Sequence, residues 1–435
     1  MRKIWLAAGA TALVTTAALA QVAAPAPSAA SPAPAPAGRI STLVRDYVAQ
    51  DRTPGIVVAY ARGDRAPTIA AAGRIASDPG AAAADADSLW RVYSMTKPIT
   101  GMAAMILIEE GKLKLDQPVG DFIPGFKSMR VLIEPDKSLA SRPATRPVTV
   151  RNLLTHTAGL GYTIITTGPL LKEYERLGIN PAAVNLAMEK EARTARPATL
   201  KEFADRVATL PLIAEPGTKW SYSIGLDVLG RVIEVAAGMP FDTFVRTRIF
   251  DPLKMKSSFF TVPASETGRL ATNYLWAGDN RMPIDPGRGS VFAEPPSFPY
   301  GGAGLVMSAR DYDRFLHMLL NQGTLDGVRI MKPETVRLAM SNLLPPGVFF
   351  GGAPAGTGGG DAPKRGFGAG GSVYLESEPG GPGKGTYGWG GAAGTIAWVD
   401  PVNKVRATAM VNYFPGEKWP LRPEVTAAVY ADLTR

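Results

Sequence analysis

The sequence predicts a mixed α/β fold, with one sheet-containing domain built from both ends of the chain and a helical domain inserted between them. Three observations carry this. Strand-like runs gather near the two ends, helical spacing dominates the middle, and 435 residues at 46% hydrophobic content can bury a large core. The boundaries read from the pattern are 39–120 with 291–435 for the α/β part and 121–290 for the helical part.

The first twenty residues, MRKIWLAAGATALVTTAALA, have a short basic start at Arg2 and Lys3, an apolar middle and small residues at Ala18 and Ala20. That order reads as a secretory signal peptide cut after Ala20, so the mature protein is expected in the periplasm or outside the cell. A retained membrane anchor is the other reading, but the apolar run is short and interrupted by threonines. No stable membrane insertion is expected after cleavage. Residues 21–38 are Ala/Pro-rich, cannot pack a core and read as an extended linker.

Folding is expected to begin at Arg39. Ile40, Leu43, Val44 and Val48 share a helical face, and GIVVAYARGDRAPTIAAAGRI reads as two strands around a turn at Gly63 and Asp64. A helix is predicted from Ser94 to Glu110, closed by Gly111 as a left-handed cap. In the middle, RNLLTHTAGL, LKEFADRVATLPL, IGLDVLGRVIEVAAG and FDTFVRTRIFDPL each place apolar residues three and four apart. Near the end, ARDYDRFLHMLLNQG is an amphipathic helix, GTIAWVDP and KVRATAMVNYF are strands, and RPEVTAAVYADLT is a closing helix. The stretch 351–371 is too glycine-rich for regular structure and reads as a surface loop. Its G-x-G-x-x-G match at Gly366, Gly368 and Gly371 is followed by strand-like SVYLE, not by the helix a dinucleotide site needs.

Composition excludes several functions. The formal charge is +9, from 47 basic and 38 acidic residues, but the basic residues form no long run or aromatic-interleaved stripe, so nucleic acid is not expected as a partner. The chain has no cysteine, which rules out disulfides, thiol catalysis and cysteine-zinc sites.

A serine hydroxyl is a weak nucleophile until something accepts its proton. Neither histidine suits that role, since His317 lies in an amphipathic helical pattern and His156, in LLTHTAGL, reads as a residue that ties a loop. Nor is there a G-x-S-x-G elbow. Lysine can replace histidine when burial or a nearby cation keeps its amine neutral. Ser94 and Lys97, in SMTK, stand three apart on one helix face at the mouth of an apolar helix, and Ser94 brings its backbone N–H among the free donors of that terminus. Pro98 is tolerated in the first turn.

Two further segments add to this pair. Tyr222, in GTKWSYS, precedes a helix; it is either a core aromatic or, with a lysine nearby, a base or proton shuttle. In YGWGGAAGTIAWVDP, Gly390 and Gly391 after Trp389 let the backbone approach a ligand closely, so these three residues are expected to bind substrate, and the Ala392 N–H can serve as a second oxyanion donor.

These segments resemble the serine β-lactamase and penicillin-binding-protein superfamily, and most of all its class C β-lactamase-like branch with the family VIII carboxylesterases. The resemblance covers nearly the whole chain after the linker, through SMTK, EEGKLKLDQPVGDFIPGF, VTVRNLLTHTAGL, EPGTKWSYS, FDPLKMKSS, GGAGLVMSARDYDRF and GWGG. It implies a β-lactamase/transpeptidase-like fold, an antiparallel sheet flanked by helices with an all-helical second domain. It implies Ser94 as acylated nucleophile, Lys97 as proton acceptor, Tyr222 as partner in proton transfer and the N–H groups of Ser94 and Ala392 as oxyanion hole, with no metal or cofactor.

Two positions depart from the β-lactamase pattern. Ile224 stands where Tyr-x-Asn has its asparagine, and Trp389, Gly390 and Gly391 replace Lys-Thr-Gly. The donor and the cation suited to a β-lactam are therefore missing, and Trp389 offers an aromatic wall better suited to an apolar ester. The expected function is an exported serine hydrolase of small carboxylic esters. A β-lactamase or D-alanyl-D-alanine carboxypeptidase-like amide hydrolase is the second reading, and a non-catalytic cell-envelope binding protein the third.

Overall fold

The computed structural model describes residues 38–352 and 365–433. The expected signal peptide, the linker up to 37 and residues 353–364 of the glycine-rich stretch lie outside the described residues.

The chain enters through α1 (Arg39–Ala49), which buries Ile40, Val44 and Tyr47 at helical spacing. Next come β1 (Gly55–Arg62) and β2 (Thr68–Gly73), a hairpin in which Val58 faces Ala70. Gly63 turns with φ of 60°. A short strand, Leu89–Arg91, leads through a 3-10 turn at Tyr93–Met95 into α2 (Thr96–Glu109). The regular helix thus starts two residues later than its sequence pattern, because Tyr93 has a φ of 42°. Gly111, with φ of 72°, ends it as expected.

The middle carries α3 (Val150–Leu154), α4 (Gly168–Arg176), α5 (Leu186–Ala192), α6 (Leu200–Ala208), α7 (Gly225–Ala237) and α8 (Phe241–Val245). The predicted helix over RNLLTHTAGL is only its first turn and a half, since His156 and Gly159 both take positive φ. Strands also occur here: Asn273–Ala277 pairs with Asn280–Asp285 around Gly278 and is joined by the parallel strand Tyr413–Phe414. No helical or alternating pattern marks that hairpin, because burial does not alternate along it: Asn273 and its neighbour Tyr274 are both buried.

The last third contains α9 (Ala309–Leu320), capped by the Ser308 side chain, and α10 (Pro333–Ala339). Then come β3 (Arg365–Phe367), β4 (Ser372–Tyr374), β5 (Tyr387–Gly390), β6 (Ile396–Asp400), β7 (Val405–Met410) and the closing helix α11 (Leu421–Leu433). Part of the predicted surface loop is therefore strand, with Gly366 inside β3. The glycines there serve packing: a Cβ on Gly366 would lie 2.4 Å from Asn342 Oδ1.

The central sheet has the order β3-β4-β5-β6-β7-β1-β2, and every neighbouring pair is antiparallel. β1, from the amino end, pairs with β7, from the carboxyl end, in the register Val58↔Ala409. Alternation sends Ile56, Val58, Ala407 and Ala409 to the face covered by α1 and α11. Val57, Ala59, Ala397, Val399 and Met410 face the larger core that includes α2, α7 and α9. The site is assembled on that second side, between the start of α2, the chain before α7 and the end of β5.

Candidate active site

Ser94 is held at a strand-to-helix transition. Just before it, Arg91 is buried and bonded to Asp285 at 2.5 Å, while Asn412 exchanges hydrogen bonds of 3.0 Å with the Arg91 backbone. Tyr93, in a backbone conformation uncommon for its type, accepts a hydrogen bond of 3.0 Å from Asn273 at its hydroxyl. These ties fix the backbone on which Ser94 is carried.

Lys97 sits one turn on and is fully buried. Its Nζ donates to Ser94 Oγ at 3.1 Å and to the Gly302 carbonyl at 2.8 Å. Tyr222 donates its hydroxyl to the same Ser94 Oγ at 2.7 Å, and Lys97 Nζ lies 4.6 Å from the centre of the Tyr222 ring. Three residues spread over 128 positions thus share one oxygen. Such a network can take the serine proton and return it to a leaving group without a histidine.

Trp389, at the end of β5, donates its indole N–H to the Tyr222 hydroxyl at 3.4 Å. Gly391 must be glycine because a Cβ would stand 2.2 Å from Thr395 Oγ1 and 2.3 Å from the Val92 carbonyl. Close approach at Gly391 is thus to the chain just before Ser94, and Trp389, Gly390 and Gly391 all line the cavity that holds Ser94. It brings Ala392 to the wall of the same cavity as Ser94, and among the described residues the Ala392 N–H has no acceptor. The cavity, about 1130 Å³ in all, runs from Ser94 past the apolar Ile164, Phe350 and Trp389 and on to α11 at Arg422 and Thr426.

His156 is fully buried, and its Nδ1 accepts the Ser223 backbone N–H at 3.1 Å. Its carbonyl accepts the Ser221 N–H at 2.9 Å, so it ties down the turn carrying Tyr222, the loop-tying part read from the sequence. Burial first, and then the Lys97 charge, hold its pKa well below the usual imidazole value. His317 lies on α9 and contacts Asp64 at 3.1 Å. Ile224 is fully buried at the start of α7 and offers no donor.

Sequence reasoning missed several neighbours. Tyr162, Trp220 and Phe367 join Tyr222, His156 and Trp389 in one aromatic cluster, with ring centres 4.7 to 6.4 Å apart. Asp227, on the first turn of α7, is fully buried and accepts the Gly302 N–H at 2.8 Å. Burial pushes its pKa up to about 7, against the pull of the Lys97 charge and the Gly302 N–H. A polar residue inside the apolar face of IGLDVLGRVIE was the one signal that could have singled out Asp227.

The Beta-lactamase family matches residues 40–431 of the chain. Protein Rv1367c of Mycobacterium tuberculosis is 35% identical over 340 residues, covering 76% of this chain and 78% of its own. Esterase EstB of Burkholderia gladioli is 33% identical over 369 residues, covering 79% and 83%. Among solved structures, EstCE1, described as a hydrolase with promiscuous acyltransferase activity, superposes with a TM-score of 0.73 at 26% identity, covering 90% of this chain and 97% of its own. With family, relatives and fold in agreement, the chain belongs to the Beta-lactamase family, as a serine hydrolase of the branch near the family VIII carboxylesterases.

Proposed function

We propose that the protein cleaves carboxylic esters through an acyl-enzyme on Ser94. The observation that carries this reading is the convergence of Lys97 Nζ and Tyr222 OH on Ser94 Oγ, at 3.1 and 2.7 Å. Ser94 Oγ attacks the carbonyl carbon while its proton passes into the Lys97 and Tyr222 pair, and the N–H groups of Ser94 and Ala392 hold the oxyanion. The alcohol leaves with a proton from the same pair. Water then attacks the acyl carbon, and the acid is released.

Ile224 and Trp389, at the positions where a β-lactam's amide and carboxylate would need a donor and a cation, favour esters over β-lactams and cell-wall peptides. Transfer of the acyl group to an alcohol in place of water is the second reading, supported by the described acyltransferase activity of EstCE1. The leader at 1–20 supports action in the periplasm or outside the cell, which fractionation of a producing host checks.

The test is hydrolysis of p-nitrophenyl esters of increasing acyl length by the mature protein beside Ser94→Ala. Turnover is expected to fall to background in the variant, with the melting temperature unchanged. Near-normal turnover in Ser94→Ala would exclude an acyl-enzyme at that position.

A further inference from the structure

We propose that Asp227 is a positioning residue for the Ser94 and Lys97 pair: its carboxylate holds the Gly302 peptide that fixes Lys97, and its negative charge stabilises the ammonium formed when Lys97 takes the serine proton. This rests on the ester-cleaving reading above.

The geometry is a clamp. The segment 301–302 is gripped from two helices: from α2, Thr100 Oγ1 donates to the Gly301 carbonyl at 2.6 Å and Lys97 Nζ to the Gly302 carbonyl at 2.8 Å. From α7, Asp227 Oδ1 accepts the Gly302 N–H at 2.8 Å. One residue therefore links the carboxylate to the amine, and only glycine fits there, because a Cβ on residue 302 would lie 2.5 Å from Asp227 Oδ2.

A structural role alone does not need a carboxylate. Asp227 is fully buried, and its Oδ2 has no hydrogen-bond partner among the described residues. Burying a charge with half its acceptor capacity unused is costly, and an amide of the same shape would accept the same N–H with an unpaired NH2 in place of an unpaired charge, the smaller of the two penalties. The groups that feel this charge are Lys97 from α2, Tyr162 from the loop after α3, and Tyr300 beside the clamped glycines. Lys97 is the basic one of the three, and it donates to Ser94 Oγ. Because burial pushes the Asp227 pKa up to about 7, its charge grows in through neutral pH and is complete only above it.

In the acylation step, the Ser94 O–H bond breaks as the Oγ–carbon bond forms, and the proton joins the Lys97 lone pair. A negative charge held across the Gly302 peptide from that nitrogen lowers the energy of the resulting cation, in the way a buried aspartate stabilises an imidazolium in the serine-histidine-aspartate arrangement.

Asp227→Asn separates charge from shape. It is expected to fold, to keep KM within about two-fold and to lose about ten-fold or more in kcat, with the acid limb of the kcat/KM profile moved to lower pH, since removing the negative charge favours the neutral amine. A profile and kcat matching the parent protein, with Ser94→Ala inactive, would overturn the proposal and leave Asp227 a packing residue. If Asp227→Asn does not fold, Asp227→Ser, uncharged but shorter, is read by its pH profile alone: an acid limb at the parent's position overturns the proposal. If no ester is turned over at all, the ester reading fails by itself. The rate of covalent labelling of Ser94 by a fluorophosphonate then carries the test: slower labelling of the Asp227 variant supports the inference, and equal rates overturn it.

Discussion

The Tyr222 hydroxyl donates to Ser94 Oγ at 2.7 Å and accepts the Trp389 indole N–H at 3.4 Å. Its ring packs against His156 and Trp389, with centres 4.7 and 5.8 Å away. Tyr222→Phe keeps the packing and deletes one proton-carrying atom. The expected result is a fall in kcat of about 10²–10⁴-fold with a small change in KM and an unchanged melting temperature, measured on a p-nitrophenyl ester. An unaltered kcat would remove Tyr222 from the proton path. At this scale the sequence was most legible where spacing alone sets geometry. Ser94 and Lys97 are three apart at the start of one helix, so their meeting follows from helical pitch even with the first turn wound as 3-10.

Between residue and fold, the site depends on how two loops grip each other. Past the end of α3, the chain reverses at His156, whose φ is 56°. This aims the carbonyl and Nδ1 at the Ser221–Ser223 turn just ahead of α7. His156→Phe fills the same space but leaves the Ser223 N–H without its acceptor. It is expected to cost about 1–3 kcal/mol by urea denaturation and to lower kcat by loosening Tyr222. Equal stability and kcat would mean that the turn holds itself. A sequence pattern identifies α7 from its apolar spacing, but not which loop braces its entrance, because the two segments are 67 residues apart.

For the whole molecule, the ends of the chain close the sheet and are tied directly: the Arg39 and Ile40 N–H groups donate to the Asp432 carboxylate at 2.8 and 3.0 Å. Stability against pH is likewise a property of the entire fold, and buried ionisable groups set its slope. Asp227 rises from the ordinary carboxylate range to about 7 on folding, so the folded state binds its proton more tightly. That contribution is full below the unfolded value near 4 and is lost as pH rises through 7. Asp227→Asn has no such loss. Its stability relative to the parent protein is expected to improve by about 3 kcal/mol between pH 5 and pH 8 in urea titrations, at a slope of about 1.4 kcal/mol per pH unit that fades as pH passes through 7. His156 carries the opposite slope, with stability lost as pH falls below the ordinary imidazole value, but it is common to both proteins and cancels in the difference. A constant difference across that range would show that Asp227 does not change protonation on folding there.

The sequence by itself determined the mixed α/β class, the helix that presents Lys97, and the absence of thiol chemistry. Each is a matter of local spacing or composition, which a linear chain displays directly. It also pointed to Tyr222 and Ala392, through motifs whose arrangement a single sequence does not show. Only the tertiary structure decided that Lys97 and Tyr222 converge on one oxygen, and that Gly391 is needed for contact with Val92. It likewise decided that Asp227 stands behind Gly302. The reason is physical: hydrogen bonds and close backbone approaches between segments one or two hundred residues apart are set by packing in three dimensions, and no periodicity along the chain encodes which distant carbonyl or carboxylate will be the neighbour.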